Sequence, residues 1–187
     1  MKVVICGATQ IGYNIASYLS AEENDITIID HSAERIKHVQ ETLDVRAVVG
    51  QESCPNLLED ISGNDTDILI AVTASDEHNI IACQIAHSLL KIPVKISHIR
   101  NQNYLNSKWL DQNSDDFPID YIISPERQVA RVILSNLKIP GVMEVVHLKN
   151  KESVVLLLHF DERSPLNNIP LRQLGDQFPG LPFRIMG

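Results

Sequence analysis

The first thirty residues constrain the fold of this chain more than any other segment. Lys2–Cys6 is a short apolar run that leads into a glycine-containing turn, Gly7–Gly12, and then into a helix-like stretch, Tyr13–Ser20. A second apolar run, Asp25–Ile29, ends at Asp30. Strand, glycine turn, helix, strand and acid are the parts of a Rossmann mononucleotide-binding unit. The segment therefore predicts a parallel α/β sheet with a nucleotide at its edge.

Each position in this unit has a physical task. Gly7 allows the tight turn out of the strand, and Gly12 lets the helix pack closely on the sheet. Asp30 lies 18 positions after Gly12, near the spacing of about 20 expected for a carboxylate that binds a ribose 2′-hydroxyl. Thr9 stands where the middle glycine of G-x-G-x-x-G is expected, and its hydroxyl is a candidate donor to phosphate. The alternative is a turn that keeps the fold and has lost the ligand.

Composition excludes several classes of function. A formal net charge of −8 argues against non-specific binding to nucleic acid or to an anionic membrane surface. No apolar run approaches the roughly 18 residues of a membrane span, so we expect no direct membrane insertion. Three scattered cysteines without CxxC spacing and seven dispersed histidines argue against a metal site and suit a reducing compartment.

The alternation of strand and helix continues along the chain. Further strands are predicted at Val45–Val49, Asp67–Val72, Val94–Ile99 and Ile119–Ile123. Pro55 begins a short helix, Ser75 caps a helix that runs to Leu90, and Pro125 opens another that ends near Leu137. We therefore predict a Rossmann-type, doubly wound, parallel six-stranded sheet with strand order 3-2-1-4-5-6. The ligand crevice is expected where that order reverses.

The pattern changes after residue 140. Val142–Leu148 and Ser153–Phe160 resemble two strands, a short helix is expected near Leu171–Leu174, and an apolar tail covers Leu181–Met186. We expect residues 1–138 to form the Rossmann-like domain. Residues 139–187 are then the start of a smaller β-rich α+β lobe, which is cut short at Gly187 or completed by a partner because it is thin for an independent core.

Several segments in fixed order resemble the RCK (KTN) nucleotide-binding domain of Trk-type potassium-uptake regulatory subunits. They are KVVICGATQIG, IIDHSAERI, VVGQESCPNLLEDI, DILIAVTASDEHNIIACQIA, IRNQNYL and IISPERQVARVI, and VLLLHFDERSPLNNIPLRQL resembles the opening of that family's C-terminal lobe. The resemblance implies a regulator without catalytic residues or a metal. NAD/NADH or ATP/ADP would change the packing of a cytoplasmic homodimer or higher homo-oligomer. That change would reach a membrane potassium-uptake subunit, which holds the regulator at the inner face of the membrane.

The resemblance also assigns residues to the expected crevice by their position. Those assigned to the phosphates are Gly7, Thr9, Gln10, Ile11, Gly12 and Arg100. Those assigned to the ribose, the adenosine and the crevice floor are Asp30, Gly50, Gln51, Thr73, Ala74 and Asn79, while Glu126 would orient Arg100. Three positions depart from the family pattern: Thr9, Gln51 in place of aspartate, and His98 in place of a second arginine. The absence of that arginine would weaken the binding of a ligand with several phosphates more than the binding of a dinucleotide.

Two alternatives remain open. Tyr104 and Lys108 match the Y-x-x-x-K pair of short-chain dehydrogenases, in which lysine lowers the tyrosine pKa for proton transfer. An NAD-dependent oxidoreductase with a truncated substrate domain would use that pair. A nucleotide-free scaffold, in which Thr9 marks a lost site, is the other reading.

Overall fold

A computed structural model describes residues 1–63, 65–106, 118–138, 142–147 and 154–158, together with Pro170 and Gln173. The chain divides into two compact units, Met1–Glu126 and Arg127–Gly187. The domain boundary expected after residue 138 stays a prediction. Each unit is described by itself.

The first unit contains one parallel six-stranded sheet. Its strands are β1 (Lys2–Cys6), β2 (Asp25–Asp30), β3 (Arg46–Val49), β4 (Ile68–Ala71), β5 (Val94–His98) and β6 (Tyr121–Ile123). Their order is β3-β2-β1-β4-β5-β6, and every neighbouring pair is parallel. The predicted fold class and strand order are therefore confirmed. The order reverses between β1 and β4, so the predicted crevice would lie at the carboxyl ends of those two strands.

Six helices lie in the described ranges, five of them between successive strands in sequence and the sixth across the boundary of the two units. They are α1 (Gln10–Ser20), α2 (Ala33–Thr42), α3 (Pro55–Ser62), α4 (Asp76–Ser88), α5 (Gln102–Leu105) and α6 (Pro125–Lys138). The cap at Ser75 is confirmed, since its hydroxyl accepts a hydrogen bond from His78 N. Helix α1 begins three residues earlier than predicted because Thr9 caps it. Helix α5 was not predicted; Asn101 starts it by accepting a hydrogen bond from Asn103 N.

The core lies on both faces of the sheet, because alternate residues of a buried strand point to opposite sides. On one face, Val4 and Leu69 pack with Leu58 of α3 and Ile80 of α4. On the other face lie Val3, Ile5, Ile28 and Ile70, with Ala16 of α1 and Ile36 and Val39 of α2. Coverage by helices on both faces explains why the central strands are almost wholly apolar.

The second unit contains an antiparallel pair, β7 (Val142–His147) and β8 (Val154–Leu158), with an irregularity between Val142 and Glu144. Both strands lie inside the predicted segments. The expected helix near 171–174, apart from Gln173, and the expected tail at 181–186 lie outside the described residues. In the described ranges no helix combines the length and the hydropathy that crossing a membrane would require.

Candidate functional site

The predicted site residues lie at the carboxyl edge of the sheet or in the helix turns that follow it. Loops from parallel strands meet at this edge, so residues distant in sequence become neighbours. Backbone hydrogen bonds extend the sheet past its strand ends, from Gly7 N to Ile29 O (2.7 Å) and from Gly50 N to Asp30 O (3.0 Å). The loops after β1 and β3 are therefore both attached to the end of β2.

The turn after β1 requires glycine at both of the expected positions. Gly7 has φ +108°, and a Cβ there would lie 2.8 Å from the Thr73 backbone. A Cβ on Gly12 would lie 1.9 Å from the Gly7 carbonyl oxygen. These contacts press the start of α1 onto the turn and press the turn onto the loop after β4. Both glycines are therefore required because backbone packs directly on backbone at this turn.

Thr9 is part of this turn, and its hydroxyl is already used. The Thr9 Oγ1 donates to Val72 O at 2.9 Å and accepts from Gly12 N at 3.3 Å. The expectation that the hydroxyl donates to phosphate is therefore wrong in this conformation, because its single proton is bonded to the carbonyl. Thr9 acts as the N-cap of α1 and fastens that helix to the end of β4.

Gln10 and Ile11 form the first turn of α1. The Gln10 amide donates to Asn14 Oδ1 at 3.0 Å on the exposed side of the helix, and Ile11 packs against the apolar cluster beneath. Their side chains are directed elsewhere, so any contribution to a phosphate comes from the backbone N–H groups and the positive end of the helix dipole.

Asp30 is completely buried and links β2 to the turn after β1. Its Oδ2 accepts from Ala8 N at 2.8 Å, and its Oδ1 accepts from Ser32 N at 2.8 Å. The guanidinium of Arg35, whose side chain is 45% exposed, lies 3.2 Å from Oδ2. Two backbone hydrogen bonds fix the carboxylate, and the half-exposed Arg35 pairs with the same oxygen that accepts from Ala8 N. Sequence reasoning missed Arg35, which lies one turn beyond the acid on α2.

Gln51 reaches across the crevice from the loop after β3. Its Nε2 lies 3.4 Å from Ser53 Oγ and 3.3 Å from the Nδ1 of His78 on α4. Gly50 precedes it, and a Cβ at Gly50 would meet only the tip of the Leu57 side chain, at 2.4 Å from Cδ2. Both residues lie at the side of the edge that the resemblance assigns to adenosine.

Asn79 ties the ends of β4 and β5 together. Its Oδ1 accepts from Thr73 N at 2.8 Å, while its Nδ2 donates to His98 O at 2.8 Å. The Asn79 side chain is fully buried. Its amide is occupied by backbone groups, so Asn79 positions the predicted crevice floor rather than binding a ligand itself. The residues expected to line that floor, Thr73 and Ala74, come shortly after β4.

Arg100 is held by Asp76, a residue that sequence reasoning did not select. The Asp76 carboxylate accepts from Arg100 N (3.0 Å), Arg100 Nε (3.4 Å) and Asn101 N (2.7 Å). The Arg100 Nη2 also donates to the carbonyl of Ala74. Glu126 instead lies beside His98, with 3.7 Å between Oε2 and Nε2. The orienting role expected of Glu126 is therefore wrong, and Asp76 fills it.

A second cluster that sequence reasoning missed joins the loops after β2 and β3. The His31 Nδ1 lies 3.0 Å from Glu52 Oε1 and 3.6 Å from Asp30 Oδ1. The hydrogen bond to Glu52 raises the pKa of His31. Glu52 is fully buried. A glutamate within the polar stretch after β3 gave no sequence signal, because only the fold brings it to His31.

The tyrosine of the dehydrogenase-like pair is also located by the structure. The Tyr104 hydroxyl donates to Glu77 Oε1 at 3.0 Å, and this bond raises the pKa of Tyr104. A proton-transferring tyrosine of the short-chain dehydrogenase kind needs a lowered pKa. Lys108 lies outside the described residues. Tyr104, the residue of the pair that the structure describes, therefore has a pKa shifted in the direction opposite to the one that catalysis needs.

An open depression of about 580 Å³ lies at the opposite end of the sheet. It is lined by the end of α1, the start of β2 and the end of α2, including Glu23, Asp25 and Asp44. The glycine turn and the carboxyl edge contribute nothing to its lining. The candidate site is instead the carboxyl edge, because the glycine turn, the N-terminus of α1 and Arg100 all lie there.

Comparison with known proteins gives a family and several relatives. The profile of the TrkA-N domain matches residues 3–125. The chain is 43% identical over 187 residues to the Trk system potassium uptake protein TrkA of Azorhizobium caulinodans, covering 100% of this chain and 41% of that protein. It is 37% identical over 186 residues to the Haemophilus influenzae protein of the same name, again covering 41% of it. The chain thus spans about two fifths of these relatives' length.

Solved structures share the fold at low sequence identity. The GsuK channel bound to NAD has a TM-score of 0.61 and 14% identity, covering 79% of this chain and 25% of that chain. The AMP-bound C-terminal domain of Shewanella denitrificans Kef has a TM-score of 0.55 and 18% identity, covering 74% of this chain and 81% of that chain. At such identities the likeness establishes the fold alone.

Proposed function

Because the chain belongs to the TrkA-N family, we propose that it is the nucleotide-sensing part of a regulatory subunit of a potassium-uptake system. The observation that carries the proposal is the buried Asp30 carboxylate beside the N-terminus of α1, held by Ala8 N at 2.8 Å. This arrangement offers a ribose acceptor and an anion-binding helix end a few ångströms apart. The names of the full-length relatives supply the transport system.

The ligand we propose is an adenine nucleotide with at most two phosphates, with NAD as the first candidate. The ribose hydroxyls bind Asp30 after displacing Arg35, and the phosphates lie at the first turn of α1. Arg100 contributes one permanently charged guanidinium, and the position two residues earlier holds His98 rather than a second arginine. One guanidinium suits a pyrophosphate better than a triphosphate. Similar folds in the GsuK channel and Kef bind NAD and AMP respectively.

The remaining site residues divide into two groups. Gly7 and Gly12 shape the crevice by close backbone packing, and Thr9 and Asn79 shape it by side-chain hydrogen bonds to backbone groups. Those that would face the ligand are Gln10 and Ile11 by their backbone, with Thr73 and Ala74 on the crevice floor and Gly50, Gln51 and Glu126 around the rim. We propose no catalytic step, since the role of the site is binding.

Regulation requires that the nucleotide bind two packings of the protein with different affinity. Arg100 is a suitable transmitter, because its guanidinium holds the Ala74 carbonyl and the Asp76 carboxylate in the structure described. A phosphate competes for that guanidinium and so loosens the tie between the loops after β4 and β5. The change passes to a membrane potassium-uptake subunit, which keeps the regulator at the cytoplasmic face.

We further propose that the protein works as a homo-oligomer. Helix α6 carries four apolar side chains that are each more than half exposed: Val129, Val132, Ile133 and Leu134. Exposed apolar faces of this kind mark interfaces. Residues 1–138 are proposed as the nucleotide-binding domain and residues 139–187 as the start of the following lobe, consistent with the greater length of the relatives.

Potassium uptake in cells tests this function. A strain lacking its own Trk-type regulatory subunit would receive the full-length natural protein, the Asp30→Asn variant or the Asp44→Asn variant. Asp44 is exposed at the opposite end of the sheet and serves as the matched control. We expect the wild type and the control to restore uptake, and Asp30→Asn to restore about a tenth or less, the effect of one lost charged hydrogen bond. If the wild-type protein left potassium uptake in this strain unchanged, the proposal would be overturned.

A further inference from the structure

Asp30, His31 and Glu52 bring three metal-ligand atoms together beside the crevice. The Asp30 and Glu52 side chains are each 1% exposed, whereas that of His31 is 57% exposed. The three ligand atoms lie within 4.8 Å of one another. The cluster thus has two buried carboxylates behind one imidazole that is open to solvent.

Glu52 supplies an independent sign that something else binds here. Its Oε1 accepts from His31 N at 3.3 Å and contacts His31 Nδ1, whereas its Oε2 has no hydrogen-bond partner among the described residues although it is buried. A buried polar atom without a partner costs about 1–3 kcal/mol, and more when the group is charged. Glu52 therefore has one buried carboxylate oxygen with unused capacity to bind a ligand, beside the oxygen that contacts His31.

We propose that Asp30, His31 and Glu52 form a binding site for a divalent transition-metal ion of the zinc class. Zinc binds imidazole nitrogen and carboxylate oxygen at about 2.0–2.2 Å, so two donors of a tetrahedral site lie about 3.4 Å apart. The separations of His31 Nδ1 from Glu52 Oε1 and Asp30 Oδ1, 3.0 and 3.6 Å, lie on either side of that value. The imidazole ligand favours this class over calcium or magnesium, which prefer oxygen alone.

The surroundings of the cluster support three protein ligands with an open fourth position. Ser32 N bonds to Asp30 Oδ1 at 2.8 Å and Ala8 N bonds to Oδ2 at 2.8 Å, so the carboxylate is oriented before the metal arrives. Arg35 bonds to Oδ2, whereas His31 lies nearest to Oδ1, and the Arg35 guanidinium balances one of the two carboxylate charges. The exposed face of His31 provides the entry path, and water or another small ligand completes the coordination.

Calorimetry of the chain with zinc chloride, in chelator-treated protein without nucleotide, tests this site. The Cys54→Ser background removes the thiol two residues from Glu52 as a competing ligand. His31→Ala and Glu52→Gln remove one ligand each, and His38→Ala removes an exposed histidine outside the cluster. We expect one zinc per chain, bound about ten-fold or more weakly in both ligand variants and unchanged in His38→Ala.

Two further measurements exclude zinc binding elsewhere on the chain and loss of binding through unfolding. Cobalt in place of zinc should give a visible d–d absorption band in the Cys54→Ser protein that is absent from the His31→Ala variant. Far-ultraviolet circular dichroism should show all variants folded, and Glu52→Gln preserves the side-chain shape if His31→Ala perturbs the loop. Equal zinc affinity in the parent and both ligand variants would overturn the site, as would no binding by the parent. Because nucleotide is absent, either result leaves the proposed nucleotide function standing.

Discussion

Asp76 fixes Arg100 by accepting hydrogen bonds both from its backbone and from its side chain. Arg100 N lies 3.0 Å and Arg100 Nε 3.4 Å from the Asp76 carboxylate, which is nearly buried in the first turn of α4. One carboxylate therefore joins the start of α4 to the loop after β5. It also aims a permanent positive charge along the carboxyl edge of the sheet.

Removing this carboxylate should destabilise the protein. Asp76→Ala leaves the N–H groups of Arg100 and Asn101 without their acceptor, and we expect the free energy of unfolding to fall by about 1–3 kcal/mol. Denaturant unfolding measures the change. Glu59→Ala, on the exposed side of α3, is the control and should stay within about 0.5 kcal/mol of wild type. Equal stability of the two variants would show that Asp76 does not hold the loop.

Glycine at position 12 should be far more important than glycine at position 50. A Cβ on Gly12 meets the fixed carbonyl of Gly7, whereas a Cβ on Gly50 meets the movable end of Leu57. We expect Gly12→Ala to lower the melting temperature strongly, with a loss of about 2 kcal/mol or more, and Gly50→Ala to cost less. Thermal unfolding followed by circular dichroism compares the two. The reverse order would contradict the close packing of α1 on the turn.

Cysteine labelling should distinguish the three thiols. Burial raises the pKa of Cys83 to about 12 and that of Cys6 well above its usual range, whereas Cys54 is half-buried. Since the thiolate is the reactive form, a thiol reagent at about pH 8 should modify Cys54 quickly and the other two only after unfolding. Mass spectrometry of the labelled native protein identifies the positions. Rapid modification of Cys83 would contradict the buried placement of α4.

Titration of Tyr104 separates the binding function from the dehydrogenase alternative. The Glu77 carboxylate accepts a hydrogen bond from the phenol and raises the pKa of Tyr104 above its ordinary value of 10.0. The difference in ultraviolet absorbance between the wild type and Tyr104→Phe, followed with pH, reports this one tyrosine. Glu77→Gln should move the transition to lower pH. A wild-type transition below the ordinary value would instead favour proton-transfer chemistry.

The sheet was predictable because its signals are local. The apolar runs, Gly7, Gly12 and Asp30 each specify a strand, a turn or an acid at a strand end, and parallel connections allow few topologies. The contacts that define the site are not local. Glu52 meets His31 and Asp76 meets Arg100 only because successive crossovers bring their loops to one edge, and polar loop residues show no periodicity. The capping role of Thr9 was not predicted either, because a threonine in place of a glycine does not indicate which groups its hydroxyl bonds.

Direct calorimetric binding of NAD to the chain tests the central claim. We predict one NAD per chain in the wild type and an affinity about ten-fold or more lower in Asp30→Asn, because the amide cannot accept the ribose hydroxyls as the carboxylate does. Asp44→Asn should bind as the wild type does. Folded wild-type protein that binds none of NAD, ADP and AMP, or that binds NAD equally well with and without the Asp30 carboxylate, would contradict the account.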